Sequence, residues 1–475
     1  RACRAETKPG QKGGAAVLSF FEQGGTSLNA LNLLSRYYNR GLSMTLAQFY
    51  GNPTLAGQKA FFFKTAEGQE GVLREAGPKN EKSNEAAGIL EPERACRAET
   101  KPGQKGGAAV FLTGATGFFG AHILRALIDK NYEKIYCLVR GNDPKRLWDT
   151  LEWYFGRGFI SGIRKKVFPV LGDIVLENFG MDMKNYELLK DETGLVIHAA
   201  ADVRHYAASD NALVTNREGT RHVLAFARAA GARMVYISTV SLGSEYVKSD
   251  PGLTREFSED DFDIGQNWED NVYLKGKFEA ERLVREAAGG GLPVKILRIG
   301  RLVGRSSDGV FQKNPESNAF WGLVSGIVQA GMVPTELSDM VLDTTAVDEC
   351  AAAALLLIQK GSGMVYHLFN PEMDSVREMI ETMGANIVET SREQFEDRLR
   401  SLLAAGGSVS LSMLLSQYNR LAQVPVRIRP VCRQTVECLK ALGFEWKKPK
   451  LDRLLAAFLP EESGDSSAWY RRELL

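Results

Sequence analysis

A doubly wound α/β fold is predicted for residues 107–305 by three features: short unbroken apolar runs, helical stretches between them, and a glycine turn directly after the first run. Unbroken rather than alternating runs are what a parallel sheet covered on both faces requires. AVFLT precedes a helix expected from about Ala121, KIYCLVR one near Arg146–Phe155, and VFPVLG the segment Tyr186–Lys190. LVIHAA leads to a helix around Ala212–Ala230, RMVYIST to one around Tyr273–Ala287, and VKILRIG completes the series. Beyond Arg305 the order loosens. Residues 306–475 read as a smaller, helix-rich, substrate-binding subdomain containing MVYHLFN and a basic C-terminal segment.

Upstream, residues 18–63 read as a small all-helical domain. After Ser27, the residues Leu28, Leu31 and Leu34 fall at i, i+3 and i+6, one face of a helix. Past a break at Gly41, two more short helical pieces are separated at Asn52 and Pro53. Residues 64–106 are polar and charged with several Gly and Pro, the composition of a flexible linker. Residues 1–17 (RACRAETKPGQKGGAAV) recur identically as residues 94–110. The second copy runs into the first predicted strand, whereas the first copy stands where a helix is expected. Residues 1–17 are therefore read as a duplicated linker of artefactual origin.

Composition narrows the partners. A hydrophobic content of 44% and a charged content of 25% are ordinary for a soluble globular protein. A net charge of +1 gives no electrostatic reason for a nucleic-acid or anionic-membrane partner. No apolar run approaches the ~18 residues that cross a bilayer, and the N-terminus has no secretory apolar core. The 6 cysteines are scattered without a C-x-x-C pair, and Cys137 lies inside an apolar run. Reduced thiols, no disulfide, no zinc and a cytoplasmic location are expected.

The turn TGATGFFG places Gly114, Gly117 and Gly120 between the first strand and the following helix. Glycines there let the backbone approach a pyrophosphate, whose charge rests on helix N-terminal amides. The G-x-x-G-x-x-G spacing, with Thr116, Phe118 and Phe119 between the glycines, is the short-chain dehydrogenase form of a dinucleotide site. A site for NAD usually shows an acid about twenty residues on. Here Arg140 ends the second strand and Lys145 and Arg146 follow, which suits the 2′-phosphate of NADPH. Asp173, followed by Ile174 after the third strand, is open to two readings, contact with the adenine edge or a helix cap.

Tyr273 and Lys277, in YLKGK, stand at i and i+4 on one face of a predicted helix. An ammonium beside a phenol lowers its pKa from about 10, which makes Tyr273 a proton donor to a carbonyl oxygen receiving hydride. Ser238 and Thr239, at the end of the preceding strand, offer hydroxyls to the same oxygen.

With TGATGFFG, CLVR, IHAAADV, the N-x-x-G-T of Asn216–Thr220, STVS, YLKGK, LRIGRLVG and YHLFNP, residues 107–475 resemble the terminal thioester reductase domain of nonribosomal peptide synthetases. That domain is an extended short-chain dehydrogenase/reductase. The resemblance implies a Rossmann-fold NADPH-binding core over residues 107–305, with Thr239, Tyr273 and Lys277 as the catalytic set and Arg140 on the NADPH phosphate. It also implies that His198–Ala201, with Ala199 and Ala200 among them, line the cofactor site, while His198 is assigned no proton transfer. FFEQGGTSL, residues 20–28, resembles the attachment motif of a peptidyl carrier protein. Ser19 stands where that family usually has Asp, and the family's first helix has no counterpart upstream. The carrier resemblance implies a 4′-phosphopantetheine arm on Ser27, installed by a phosphopantetheinyl transferase, and acyl or peptidyl thioesters supplied by upstream synthetase modules.

The expected function is NADPH-dependent release of the carrier-bound thioester as an aldehyde, or onward as an alcohol. Rival readings are a non-redox cyclising release domain, a fragment of a carboxylic acid or aminoadipate reductase, a sugar-nucleotide epimerase or dehydratase, and a non-catalytic NADP-binding module. The carrier motif argues against the epimerase, and the pairing of Tyr273 with Lys277 argues against non-redox release.

Overall fold

The computed structural model describes residues 52–68, 108–202, 211–243, 254–266, 271–315, 318–384, 386–405, 408–423 and 427–455, with Phe20, Ala30, Leu33, Leu34, Tyr37, Leu42, Met44, Gln48 and Phe49. Ser27, residues 1–17 and residues 69–106 of the expected linker lie outside the described residues.

Seven strands make one parallel sheet: β1 (Ala109–Thr113), β2 (Ile135–Val139), β3 (Val167–Leu171), β4 (Thr193–His198), β5 (Arg233–Thr239), β6 (Val294–Ile299) and β7 (Val365–Leu368). Their spatial order is β7-β6-β5-β4-β1-β2-β3. The covering helices are α1 (Phe118–Asp129), α2 (Lys145–Ile163), α3 (Met183–Glu192), α4 (Asn211–Ala230), α5 (Val272–Gly289) and α6 (Val347–Lys360). Val110, Leu112, Cys137, Ile197 and Leu297 pack against α1, α2 and α6 on one face. Phe111, Val196, Met234 and Ile296 pack against α3, α4 and α5 on the other. Both faces are covered, as the unbroken apolar runs require.

Helix ends differ from the sequence expectation for local reasons. α1 begins at Phe118 because Gly117, extended at φ −88° and ψ 166°, serves as its N-cap. α2 continues beyond Phe155 to Ile163 through a break at Gly156, whose φ of 78° suits glycine. α3 starts at Met183, where the Asp182 side chain accepts from Asn185 N.

The seventh strand corrects the expected core boundary at residue 305. β7 is the VYHL of MVYHLFN, and α6 leads into it, so the sheet is completed by a segment read as part of the C-terminal subdomain. A two-residue strand (Leu302–Val303) and the helix Ala319–Ala330 intervene before α6, which breaks the strand–helix alternation that sequence reading follows.

The inserted and C-terminal elements gather a second core. Phe320, Leu323 and Ile327 of Ala319–Ala330 meet Phe395 of Arg392–Ala404 and Leu414 and Tyr418 of Val409–Gln423. Gly322 and Gly326 permit that approach: a Cβ on them would stand 2.8 Å from Met413 and 2.7 Å from Leu414. Upstream, Ala30, Leu34, Met44 and Phe49 form a small core of their own with Phe20, Tyr37, Phe61 and Phe62. The helix Leu55–Gly68 follows Pro53, with Thr54 Oγ1 accepting from Gly57 N at 3.0 Å, and runs past Phe63 into the stretch read as linker.

Candidate active site

Strand order reverses between β1 and β4, and the carboxyl ends of such a pair form the crevice where open α/β sheets take ligands. Gly114, at φ +79°, turns the chain off β1 against the end of β4. A Cβ there would lie 2.5 Å from Ala200 N and 2.6 Å from the carbonyl carbon of Ala199. A Cβ at Gly120 would drive into Gly114 O, so α1 closes onto the turn only with glycine at that position. Gly117 is exposed, no side chain caps the first-turn amides of α1, and no acidic residue lies in that turn. A side-chain-free cradle with uncapped amides and no acid fits the pyrophosphate of a dinucleotide. The rings of Phe118 and Phe119 anchor this cradle. Phe118 stacks on Tyr154 at 5.9 Å and meets Phe311 at 5.6 Å, and Phe119 packs into the core; Thr116 is half-buried at the turn itself.

His198 ties the two strand ends together. Thr220 donates its hydroxyl to Asn216 O at 2.6 Å, so at 3.1 Å it accepts from His198 Nε2. His198 Nδ1 then accepts from Thr113 Oγ1 at 2.7 Å, and Thr113 Oγ1 accepts from Ala200 N at 3.2 Å. Both ring nitrogens are committed, and burial followed by the charge of Lys277 lowers its pKa to about 3. The ring is a neutral strut. Asn216 extends the same scaffold, accepting from Asp202 N at 2.8 Å and donating to Asp202 O at 3.0 Å, which holds the chain just after Ala200.

At the end of β2, Arg140 is exposed and has no hydrogen bond or ion pair among the described residues. Lys145 pairs with Asp149 at 2.8 Å, while Arg146 is exposed. Asp173 sits in the turn after β3, where its carboxylate accepts from Val175 N at 3.2 Å; the helix-cap reading fails because Asp182 caps α3. The Ile174 side chain is buried against α4, and a Cβ on Gly219 would stand 2.6 Å from its Cδ1. Only the backbone of Ile174 can then border a cofactor.

Two expectations at the β5 end are corrected. Ser238 is not available to a substrate oxygen: it is buried and donates to Glu281 Oε2 at 2.7 Å. Consecutive strand residues face opposite sides, and Thr239 is the one left at the site. Its Oγ1 accepts from Ser241 N at 3.2 Å, which leaves its O–H to donate. Tyr273 and Lys277 do share one face of α5, which begins after Asn271 with its side chain accepting from Leu274 N. The Tyr273 phenol, however, is pushed up by burial rather than lowered by an ammonium. Lys277 Nζ donates to Ile237 O at 2.8 Å and lies 4.9 Å from the centre of the Tyr236 ring. Burial lowers the Lys277 pKa to about 8, with Glu281 opposing.

A buried polar cluster beneath this set went unread in the sequence. Glu281, Arg298 and His367 are fully or almost fully buried and linked side chain to side chain. The signals are a glutamate four residues after Lys277, Arg298 inside VKILRIG and His367 inside MVYHLFN.

The NAD-binding family described as Male sterility protein matches residues 112–354, just over half of the chain. This chain belongs to that family. As a Male sterility-type NAD-binding protein, it is 28% identical to a linear gramicidin synthase of Brevibacillus parabrevis over 79% of its own length. It spans only 7% of that far larger relative. Its structure superposes on a thiolation-reductase di-domain from an archaeal non-ribosomal peptide synthetase with a TM-score of 0.73 and 27% identity, covering 92% of this chain and 91% of the other. The terminal R domain of the myxalamid PKS-NRPS pathway gives a TM-score of 0.62 at 29% identity, covering 72% and 87%. These are the kinds of domain that the sequence motifs resemble. Among the described residues no helix is long and apolar enough to cross a membrane.

Three buried histidines of this family member set an acid limit. Burial lowers His122 from 6.5 to about 4, and His198 and His367 to about 3. Each stays neutral in the fold and takes up a proton on unfolding, so the stability it contributes is complete above about pH 6.5 and is lost as pH falls through the folded value. The melting temperature should drop progressively from about pH 6.5 to about pH 4. A melting temperature constant across that interval would contradict the burial of these rings.

Proposed function

We propose that this chain reductively releases an acyl or peptidyl thioester held on the 4′-phosphopantetheine of Ser27, consuming NADPH and yielding an aldehyde and the free carrier thiol. The reading is carried by the placement of Thr239, Tyr273 and Lys277 at the same carboxyl end of the sheet as the uncapped glycine turn. Likeness over 91% of a di-domain that joins thiolation to reduction supports the carrier half.

A reduced nicotinamide dinucleotide held at the turn would supply the hydride that the thioester carbonyl carbon receives. The Gly114–Gly120 turn takes the pyrophosphate, Ala199 and Ala200 border the site, and Arg140 takes the 2′-phosphate. Thr239 donates a hydrogen bond to the carbonyl oxygen. Tyr273, kept protonated by burial, passes its proton to that oxygen as negative charge develops. Lys277 supplies the positive charge that steadies the phenolate left behind. The resulting thiohemiacetal breaks its C–S bond. Its hydroxyl proton passes to the departing sulfur, so the carbonyl re-forms as the aldehyde and the carrier thiol leaves. A phosphopantetheinyl transferase would load Ser27, and upstream synthetase modules would furnish the acyl group.

Tyr273→Phe should slow thioester-dependent NADPH oxidation by about 100-fold or more, while NADPH affinity in a fluorescence titration stays close to that of the parent. Parent-like turnover in that variant would remove Tyr273 from the role. Arg140→Ala should weaken NADPH binding by roughly tenfold through loss of a charge-assisted hydrogen bond and leave NADH binding unchanged. An equal loss for both nucleotides would remove Arg140 from the 2′-phosphate.

A further inference from the structure

Glu281 has no step in the chemistry above, yet it lies one turn beyond Lys277 on the face of α5 that carries Tyr273. Its side chain is fully buried. Ser238 of β5 donates to it at 2.7 Å, Arg298 of β6 at 2.7 Å, and Arg285 of α5 at 3.1 Å. Arg298 in turn donates to His367 Nε2 of β7 at 2.9 Å, and His367 Nδ1 donates to Val431 O at 2.7 Å. Sheet register produces this alignment, since Ser238 pairs with Arg298 and Arg298 with His367 across three adjacent strands. Burial pushes the Glu281 carboxyl up, but Arg298 and Arg285 outweigh it and hold the group below the usual carboxylate range. The carboxylate is therefore the form present over the pH range in which Lys277 titrates.

The groups around Lys277 make that charge matter. On its own helix it faces Tyr273 and Glu281, on β5 the Tyr236 ring and the Ile237 carbonyl, and on β4 His198. Burial raises both tyrosines and lowers the histidine, so all three are neutral at physiological pH. Glu281 is the anion of the set.

We propose that Glu281 is a positioning residue that acts through Lys277: its buried charge keeps the lysine protonated, and its anchorage to β5 and β6 fixes the helix face that presents Tyr273. This rests on the reductase reading above. Without the carboxylate charge, burial disfavours the ammonium with nothing to oppose it, so Lys277 would lose its proton at lower pH.

The test is a 13C NMR titration of the lysine ε-carbons in the full chain, with the Lys277 signal assigned by its loss in Lys277→Arg. Glu281→Gln should lower the Lys277 midpoint by roughly one pH unit and move the basic limb of NADPH-dependent turnover with it; Glu281→Asp should restore most of the shift. Arg285→Gln, which removes a cation from the rim of the cluster, should move the midpoint upward. A purely structural role would shift the two Gln variants alike or not at all, and either result overturns the proposal. Where Glu281→Gln gives no cooperative melt, Arg285→Gln decides: an upward midpoint supports the proposal and an unchanged or lower one overturns it. The titration needs no thioester. A chain that turns over no carrier thioester would defeat the reductase reading while leaving the role of Glu281 readable.

Discussion

Glu281 and Arg298 form an ion pair with both side chains fully removed from water, and removing one member of such a pair costs about 3–5 kcal/mol because the other is left as an unpaired interior charge. The surrounding architecture supplies what that pair needs. β5 contributes the hydroxyl of Ser238, β7 contributes the His367 acceptor, and the Phe257 ring lies 4.8 Å from the Arg298 guanidinium. His367 is held from both sides, by Val431 O through its ring and by Thr435 Oγ1 through its backbone amide. Thr435 is fixed in turn by Glu259 at 2.8 Å. A segment near residue 435 is thereby connected, contact by contact, to the helix that carries Tyr273 and Lys277. With β6 at the edge of the sheet, Arg298 would lose its His367 partner.

The carboxyl end of the sheet contains two kinds of surface. Around Gly114 the backbone of β1 meets that of β4 closely enough that only glycine fits, and the amides of α1 stay uncapped. Around Tyr273 the polar groups are packed and committed, with Lys277 on a backbone carbonyl and His198 on two threonines. The open backbone suits a phosphate; the packed side chains suit a reaction in which geometry must not drift.

What could be read in advance followed local rules. Glycine spacing reports a steric constraint, apolar runs report two-sided burial, and Tyr273 with Lys277 reports helical periodicity. The features that escaped depend on tertiary placement. Spacing alone suggested that Lys277 would lower the Tyr273 phenol, but burial, invisible to spacing, dominates and raises it. Ser238 and Thr239 looked equivalent, although the two-residue period of a strand sends their side chains to opposite faces. Local pattern places β7 outside the core because a helical insertion separates it from β6 by more than sixty residues of chain. Arg298 within VKILRIG and His367 within MVYHLFN are the legible trace of the buried cluster.

The central claim is that hydride passes from NADPH to a thioester tethered on this chain. The most direct measurement loads Ser27 with an acyl-phosphopantetheine, supplies NADPH deuterated at the nicotinamide C4, and follows the released product by mass spectrometry. The account predicts an aldehyde, or the alcohol derived from it, with deuterium on the former carbonyl carbon and one free carrier thiol per product. Release of an acid, a lactam or any product without deuterium at that carbon would contradict it.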